Sequence, residues 1–224
     1  MSYSLVESNK HCLVYLNDEF FEIDTGSEVS FYTHKKGDEI LIDGNYYSMK
    51  RCPLKEEEIE SYEKLIGNTI SGVIGCDILS KTNLTINVKK NKIDFEALPI
   101  KHGETVNFEY SGLVKVEVGY NGKMYKALLD TGAWMGYATY DITNNLVSAG
   151  KFSDYNSQIG IMEGDFYNVM LTIGVKGRNY SVARAPEKLD VALKLKGCDF
   201  VIGVSGAMDK AISFDFKKKE ITFK

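Results

Sequence analysis

Two aspartates stand in the same short context, Asp24-Thr25-Gly26 and Asp130-Thr131-Gly132. An apolar run leads straight into each acid: Phe20-Phe21-Glu22-Ile23 before the first, Ala127-Leu128-Leu129 before the second. One such triplet arises by chance in on the order of a few per cent of chains of this length, so two that both close a strand point to two halves of one site. Carboxylates brought within hydrogen-bonding range cannot both ionise easily; they share one proton and titrate as a coupled pair. The ionised partner takes a proton from a water as it attacks a peptide carbonyl, and the protonated partner hydrogen-bonds the carbonyl oxygen. Gly26 and Gly132 let the backbone turn tightly and donate amides toward the carboxylates. The hydroxyls of Thr25 and Thr131 can satisfy backbone groups across the pair.

The elements that must position these acids are legible as repeats. Alternating patches around Asn17-Asp18 read as a hairpin whose second strand runs into Asp24. The second half opens the same way, with GLVKVEVGY and KMYKALLD flanking Asn121-Gly122, a strong two-residue hairpin signal. Further on, Val73 to Phe95 and Val201 to Phe223 align without a gap, sharing Val-Ile-Gly, Lys-Lys and Ile-x-Phe. Each reads as a buried strand, a glycine where backbones approach closely, a short helical turn and a hairpin around the lysines. A weaker repeat pairs Tyr47–Pro53 with Tyr180–Pro186, each following a hairpin pattern. Such self-similarity signals duplication, and two like units pack about an approximate two-fold axis.

The copies differ in length. Asp24 to Tyr47 spans 23 positions and Asp130 to Tyr180 spans 50, so the second half carries 27 more residues there. These include KFSDYNSQIGIMEGDFYNVML, expected as a long exposed hairpin over about 152–172 with a tip flanked by Gly160 and Gly164. The first half gains only LKEEEIESYEKLIGN, expected as a short helix with a solvated glutamate face. The pattern breaks near Ala97 to Glu104, dividing the chain into 1–100 and 101–224.

Bulk composition excludes other classes. The 224 residues carry 44% apolar and 26% charged side chains and a formal charge of −4, as in ordinary soluble domains. Lys217-Lys218-Lys219 reads as a solvated turn, and no nucleic-acid partner is expected. No stretch approaches the length of a membrane helix, and the first residues lack the features of a signal peptide, so a cytoplasmic location with no membrane partner is expected. The four cysteines are expected as buried thiols, and the three histidines share no ligand spacing, so no metal or cofactor is expected. His11 is expected at a strand edge.

Two Asp-Thr-Gly triplets, each followed by an apolar-apolar-Gly (Val73-Ile74-Gly75 and Val201-Ile202-Gly203), resemble the aspartic endopeptidases of the pepsin and retropepsin clan over nearly the whole chain. The resemblance implies an all-β bilobal fold with few short helices, a pseudo-two-fold axis, and an extended peptide or protein substrate cut by Asp24 and Asp130. It implies that Thr25 and Thr131 interlock between lobes, that statine-type inhibitors bind, and that a monomer suffices. The chain is shorter than pepsin and resembles two fused retropepsin subunits; with 23 residues before Asp24, no pro-segment is expected. The flap-like hairpin follows the second triplet, whereas pepsin carries its flap in the first lobe. The expected flap residues are Ile159, Gly160, Ile161, Met162, Glu163 and Gly164, at the tip. Ile159, Ile161, Trp134, Tyr137 and Phe166 are candidate pocket residues favouring apolar side chains, with core packing an equal alternative. Ser27 follows the first triplet and Ala133 the second. A hydroxyl at that position can lower an aspartate pKa, so its loss at Ala133 implies a mildly acidic, not strongly acid, optimum. The competing reading is a non-catalytic peptide-binding or scaffolding module.

Overall fold

In the computed structural model, which describes residues 2–9, 11–34, 39–95, 100, 102–156, 160–203 and 211–224, the tight turns sit where the sequence placed them. Asn17-Asp18 (φ 53° and 64°) and Asn121-Gly122 (φ 48° and 76°) take the left-handed conformations of a two-residue hairpin loop, as does Asp43-Gly44 (φ 49° and 80°). Such loops match the right-handed twist of the strands they join. The described chain is accordingly mostly β, with four short helices among the described residues.

The same pairing register occurs twice. Strand Glu19–Ile23 runs parallel to Gly72–Ile74, with Ile23 opposite Ile74. Phe31–Tyr32 lies antiparallel on Gly72–Ile74 and parallel to Lys50–Arg51, with Tyr32 opposite Arg51. In the second half Lys123–Leu129 runs parallel to Phe200–Ile202, with Leu129 opposite Ile202. Gly136–Ala138 then lies antiparallel on Phe200–Ile202 and parallel to Lys176–Arg184, with Ala138 opposite Arg184. The Val-Ile-Gly repeat is thereby explained. A side chain at Gly75 would stand 2.7 Å from the Val29 carbonyl oxygen, and one at Gly203 would stand 2.6 Å from that of Ala133. Only glycine lets these backbones approach the turns that carry the aspartates.

In the second half, strands Val114–Tyr120, Lys123–Leu129, Phe200–Ile202, Gly136–Ala138, Lys176–Arg184 and Gly160–Ile173 follow one another round a six-stranded barrel, closed where Gly119 pairs with Thr172. Val116, Leu129, Leu171, Val182 and Ile202 are buried in its core. The other large sheet has eleven strands and draws on both halves of the chain. Its seam is the pairing of Leu84–Asn87 with Ala211–Asp215, which sets Ile212 opposite Ile86 and Phe214 opposite Leu84, all fully buried. Thr85 Oγ1 donates to Ser213 Oγ across it at 2.9 Å. The lysines at 217–219 form an exposed turn, as expected, while the helical turn expected after Gly203 falls on 204–210, outside the described residues.

Helix Glu56–Ile66 forms where the glutamate-rich insertion predicted it. Glu58 caps the Lys55 amide at 2.7 Å, Gly67 closes the helix at φ 75°, and Ile59, Tyr62 and Ile66 face inward. Glu63 departs from the solvated face: its carboxylate accepts the Ile70 amide and pairs with His34. A second helix, Glu187–Leu195, follows Pro186 and was not anticipated. No helix among the described residues is long and apolar enough to cross a membrane. Cys12, Cys76 and Cys198 are buried free thiols and Cys52 is half-buried.

The seam makes a testable demand. Phe214→Ala should cost about 3–5 kcal/mol in urea unfolding, the usual range for emptying a buried phenylalanine site. Because both halves share this sheet, fluorescence of the single tryptophan, Trp134, and far-UV circular dichroism should report coincident transitions; separated midpoints would show that the halves unfold independently.

Candidate active site

The two Asp-Thr-Gly turns meet. Each aspartate ends a strand whose parallel neighbour fixes its backbone: the Asp24 amide donates to the Ile74 carbonyl and that of Asp130 to the Ile202 carbonyl, both at 3.0 Å. Asp24 Oδ1 accepts the amides of Gly26 (2.7 Å) and Ser27 (3.1 Å), and Asp130 Oδ1 accepts those of Gly132 (2.9 Å) and Ala133 (3.0 Å). The glycines also do more than turn the chain. A methyl at Gly26 would be driven into the Asp130 carboxyl group, and one at Gly132 would stand 2.6 Å from the carboxyl carbon of Asp24. Each carboxylate therefore rests against the other turn's glycine, and the two carboxyl groups hydrogen-bond each other.

Behind them the threonines exchange bonds. Thr25 Oγ1 donates to the Leu129 carbonyl (2.7 Å) and accepts the Thr131 amide (3.0 Å). Thr131 Oγ1 donates to the Ile23 carbonyl (2.6 Å) and accepts the Thr25 amide (3.0 Å). Both side chains are buried, so no water competes for these bonds. The Ser27 hydroxyl donates to the Val29 carbonyl at 2.8 Å, so it is the Ser27 amide, not its side chain, that supports Asp24.

Burial dominates the electrostatics. It raises Asp24 from its ordinary 3.8 to about 6, helped by the charge of Glu22 and opposed by the hydrogen bonds it accepts from Asp130 and from the Gly26 and Ser27 amides. Asp130 is raised well above its ordinary value by burial, by the Asp24 charge and by its hydrogen bond to Asp24. Both shifts favour one proton shared by the pair, with Asp130 the more readily protonated partner.

A second buried pair adjoins the dyad. Glu22, fully buried two residues before Asp24, meets His11 Nδ1 at 2.8 Å, and the His11 ring also hydrogen-bonds the Gly132 backbone. Burial opposes a charge on His11, yet Glu22, Asp154 and Gly132 together outweigh it and raise its pKa. Burial likewise raises Glu22, with His11 opposing. His11 does begin its strand, as expected, but it is buried and paired. Glu22 was missed because it was read as part of the apolar run; an acid inside such a run was the available signal.

The long hairpin forms from strands Gly150–Asn156 and Gly160–Ile173. Its register, Asn156 opposite Gly160 and Phe152 opposite Gly164, corrects the expected tip: residues 160–164 belong to the returning strand. The glycines are there for the aromatic rings. Phe152 lies over Gly164 and Phe166 over Gly150, so a side chain at either glycine would meet a ring. Ile159 and the side chain of Ile161 lie outside the described residues. Met162 is buried and faces the dyad cavity, and Glu163 is exposed. Trp134 and Phe166 pack at the edge of the cluster of Leu113, Leu128, Met135, Tyr137 and Phe152. Tyr137 lines the dyad cavity, but its hydroxyl donates to Asp154 Oδ2 on the hairpin, so this wall is polar where an apolar one was expected. Among the described residues no three His, Cys, Asp or Glu side chains are grouped to ligate a metal ion.

If the threonine exchange holds the turns together, Thr25→Val should cost about 2–4 kcal/mol, since it leaves the Thr131 amide and the Leu129 carbonyl buried without partners. Thr25→Ser, which keeps the hydroxyl, should cost well under half of that. Equal losses in chemical denaturation would show that the methyl group, not the bonding, matters. No family model matches the chain and no curated protein aligns with it, so the functional assignment rests on this geometry.

Proposed function

We propose that the chain is an aspartic endopeptidase of the pepsin and retropepsin kind, two retropepsin-like lobes about an approximate two-fold axis, hydrolysing peptide bonds with a water held between Asp24 and Asp130. The observation that carries this reading is the mutual packing of the two Asp-Thr-Gly turns, each glycine against the other's carboxylate. The twice-repeated strand register supports the bilobal arrangement. A binding module has no need of two raised, proton-sharing carboxylates at the floor of a cleft.

The chemistry follows from the proton's position. Asp24, ionised, takes a proton from the water as its oxygen attacks the peptide carbon, and Asp130 gives its proton to the carbonyl oxygen, forming a gem-diol. Asp24 then passes its proton to the amide nitrogen, Asp130 recovers one from a diol hydroxyl, and the carbon–nitrogen bond breaks. The peptide lies extended beneath the Gly150–Ile173 hairpin, held by main-chain hydrogen bonds, and the hairpin excludes bulk water.

Digestion of a mixed peptide library tests the reading. Asp130→Asn should lose activity by on the order of 10³-fold or more while the wild type still binds a statine-type mimic. An Asp130→Asn protein that cleaves normally, or a wild type that neither cuts any peptide nor binds the mimic, would overturn it.

The raised carboxyls also set pH behaviour. Below about pH 6 Asp24 takes up a second proton and can no longer deprotonate water, so kcat/KM should fall as pH drops through that value. For stability the sign is opposite. A carboxyl raised from 3.8 to about 6 favours the folded state fully below the lower value, and this contribution is lost as pH rises through the higher one. Asp24→Asn should therefore be inactive, yet more stable than the wild type near pH 7 by on the order of 1–3 kcal/mol, with the difference gone near pH 3. Thermal melts at the two pH values decide it.

A further inference from the structure

The cleft is unlike on its two sides. On one side Val29, Leu113, Leu128, Leu189 and Leu193 line a pocket of ≈ 350 Å³ that reaches both aspartates. Its rim carries an ion pair, Lys196 Nζ to Glu28 Oε1 at 2.6 Å. The other side is a cavity of ≈ 70 Å³ that also reaches both aspartates, walled by Glu22, Tyr62, Tyr137, Asp154 and Met162.

The chemistry of the small cavity is acidic. Glu22 contributes a carboxylate with no exposed surface; its Oε1 is met by His11, and its Oε2 has no hydrogen-bond partner. An unpartnered buried carboxylate oxygen is costly, and folded chains keep such groups chiefly where something else satisfies them. Asp154, brought in by the hairpin, is 4% exposed and accepts the Tyr137 hydroxyl. The His11 ring faces the charges of Glu22 and Asp154. Among the described residues no lysine or arginine lines the cavity. Met162 and Leu189 supply apolar wall along which an alkyl stem can lie while its polar end reaches the acids. The volume would hold about five waters, enough for an ammonium or guanidinium group with its last methylenes.

We infer that this cavity is a specificity subsite for a basic side chain, lysine or arginine, on one side of the scissile bond, with Glu22 Oε2 as its buried acceptor and the hairpin's Asp154 as its second. The inference rests on the endopeptidase reading and deepens it. Glu22 acts here by touching substrate, two residues from the acid that performs the chemistry. Asp154 stands on the hairpin strand and already walls the cavity, so a cation bound there ties the hairpin to the dyad.

Statine-type pseudopeptides that differ only in the residue on either side of the statine, lysine against norleucine, test this by calorimetry on the full chain. At one of the two positions lysine should bind at least about tenfold tighter than norleucine, the return expected for a hydrogen bond to a charged acceptor. Glu22→Gln should abolish that preference, read as the ratio of lysine to norleucine binding within the variant itself. Should Glu22→Gln fail to fold, Asp154→Asn should reduce the same preference severalfold. Lysine no better than norleucine at both positions, or a lysine preference that survives in a folded Glu22→Gln protein, overturns the subsite while the endopeptidase reading stands. If no pseudopeptide binds and no peptide is cut, both fall together.

Discussion

Everything in this molecule depends on two buried hydroxyls being shared across the middle of the chain. Thr25 and Thr131 each donate to the carbonyl before the other aspartate's strand end and accept the other's amide. Each hydroxyl thereby uses its donor and one acceptor site on the opposite strand, which only a serine or threonine side chain supplies in so short a reach. The exchange removes two amides and two carbonyls from the list of unmet buried groups. It also fixes the distance between Asp24 and Asp130, since each acid is one bond away from a residue in the exchange. The carboxylates do not attract each other together; the backbone forces them to meet.

Forced proximity explains why the surrounding pattern is so restrictive. Glycine at 26 and 132 is required because the opposite carboxyl group occupies the space of a side chain. Glycine at 75 and 203 is required because the parallel strands that receive the Asp24 and Asp130 amides pass within contact of the loops beyond. Four backbone amides then compensate the two acids, two to each, which is what a buried charge needs when no cation is near. Burial and the neighbouring acid charges still raise Asp24 and Asp130 against the pull of those amides.

Most of this plan was legible in the sequence, because each element of it constrains residue type. Glycines at close approaches, Asn-Gly at the hairpin loop and the paired triplets are demands of backbone geometry, and they recur with constant spacing. The misplaced or missed features obey other rules. Gly160 and Gly164 looked like a turn, yet Gly164 makes room for Phe152 across the strand pair, a contact that depends on register and not on local order. Glu22 passed as one polar residue in an apolar run, because its partner His11 lies in the neighbouring strand. Helix Glu187–Leu195 follows Pro186 as Glu56–Ile66 follows Pro53, a correspondence that the shorter, less glutamate-rich segment of the second half obscured. The Ser27 hydroxyl turned to Val29, a choice between nearby acceptors that spacing does not reveal.

The differences between the halves matter as much as the repeats. Position −2 from the acid is Glu22 in one half and Leu128 in the other, and these two residues line opposite sides of the cleft. Among the described residues the long hairpin belongs to the second half, and it lines the small polar cavity through Met162 and Asp154. Across from it, helix Glu56–Ile66 of the first half contributes Tyr62 to the same wall. A duplicated scaffold with identical flanks would offer a bound chain two equivalent directions. Here one cavity is small and walled by acids, while the other is larger, lined by leucines and valines with the Lys196–Glu28 ion pair at its rim, so on the proposed reading the two directions of a bound chain would set its side chains against different groups. Each mismatch costs the desolvation of an unsatisfied group, on the order of 1–3 kcal/mol. On the proposed reading, the asymmetry built onto the repeat therefore distinguishes the two directions of a peptide laid across Asp24 and Asp130.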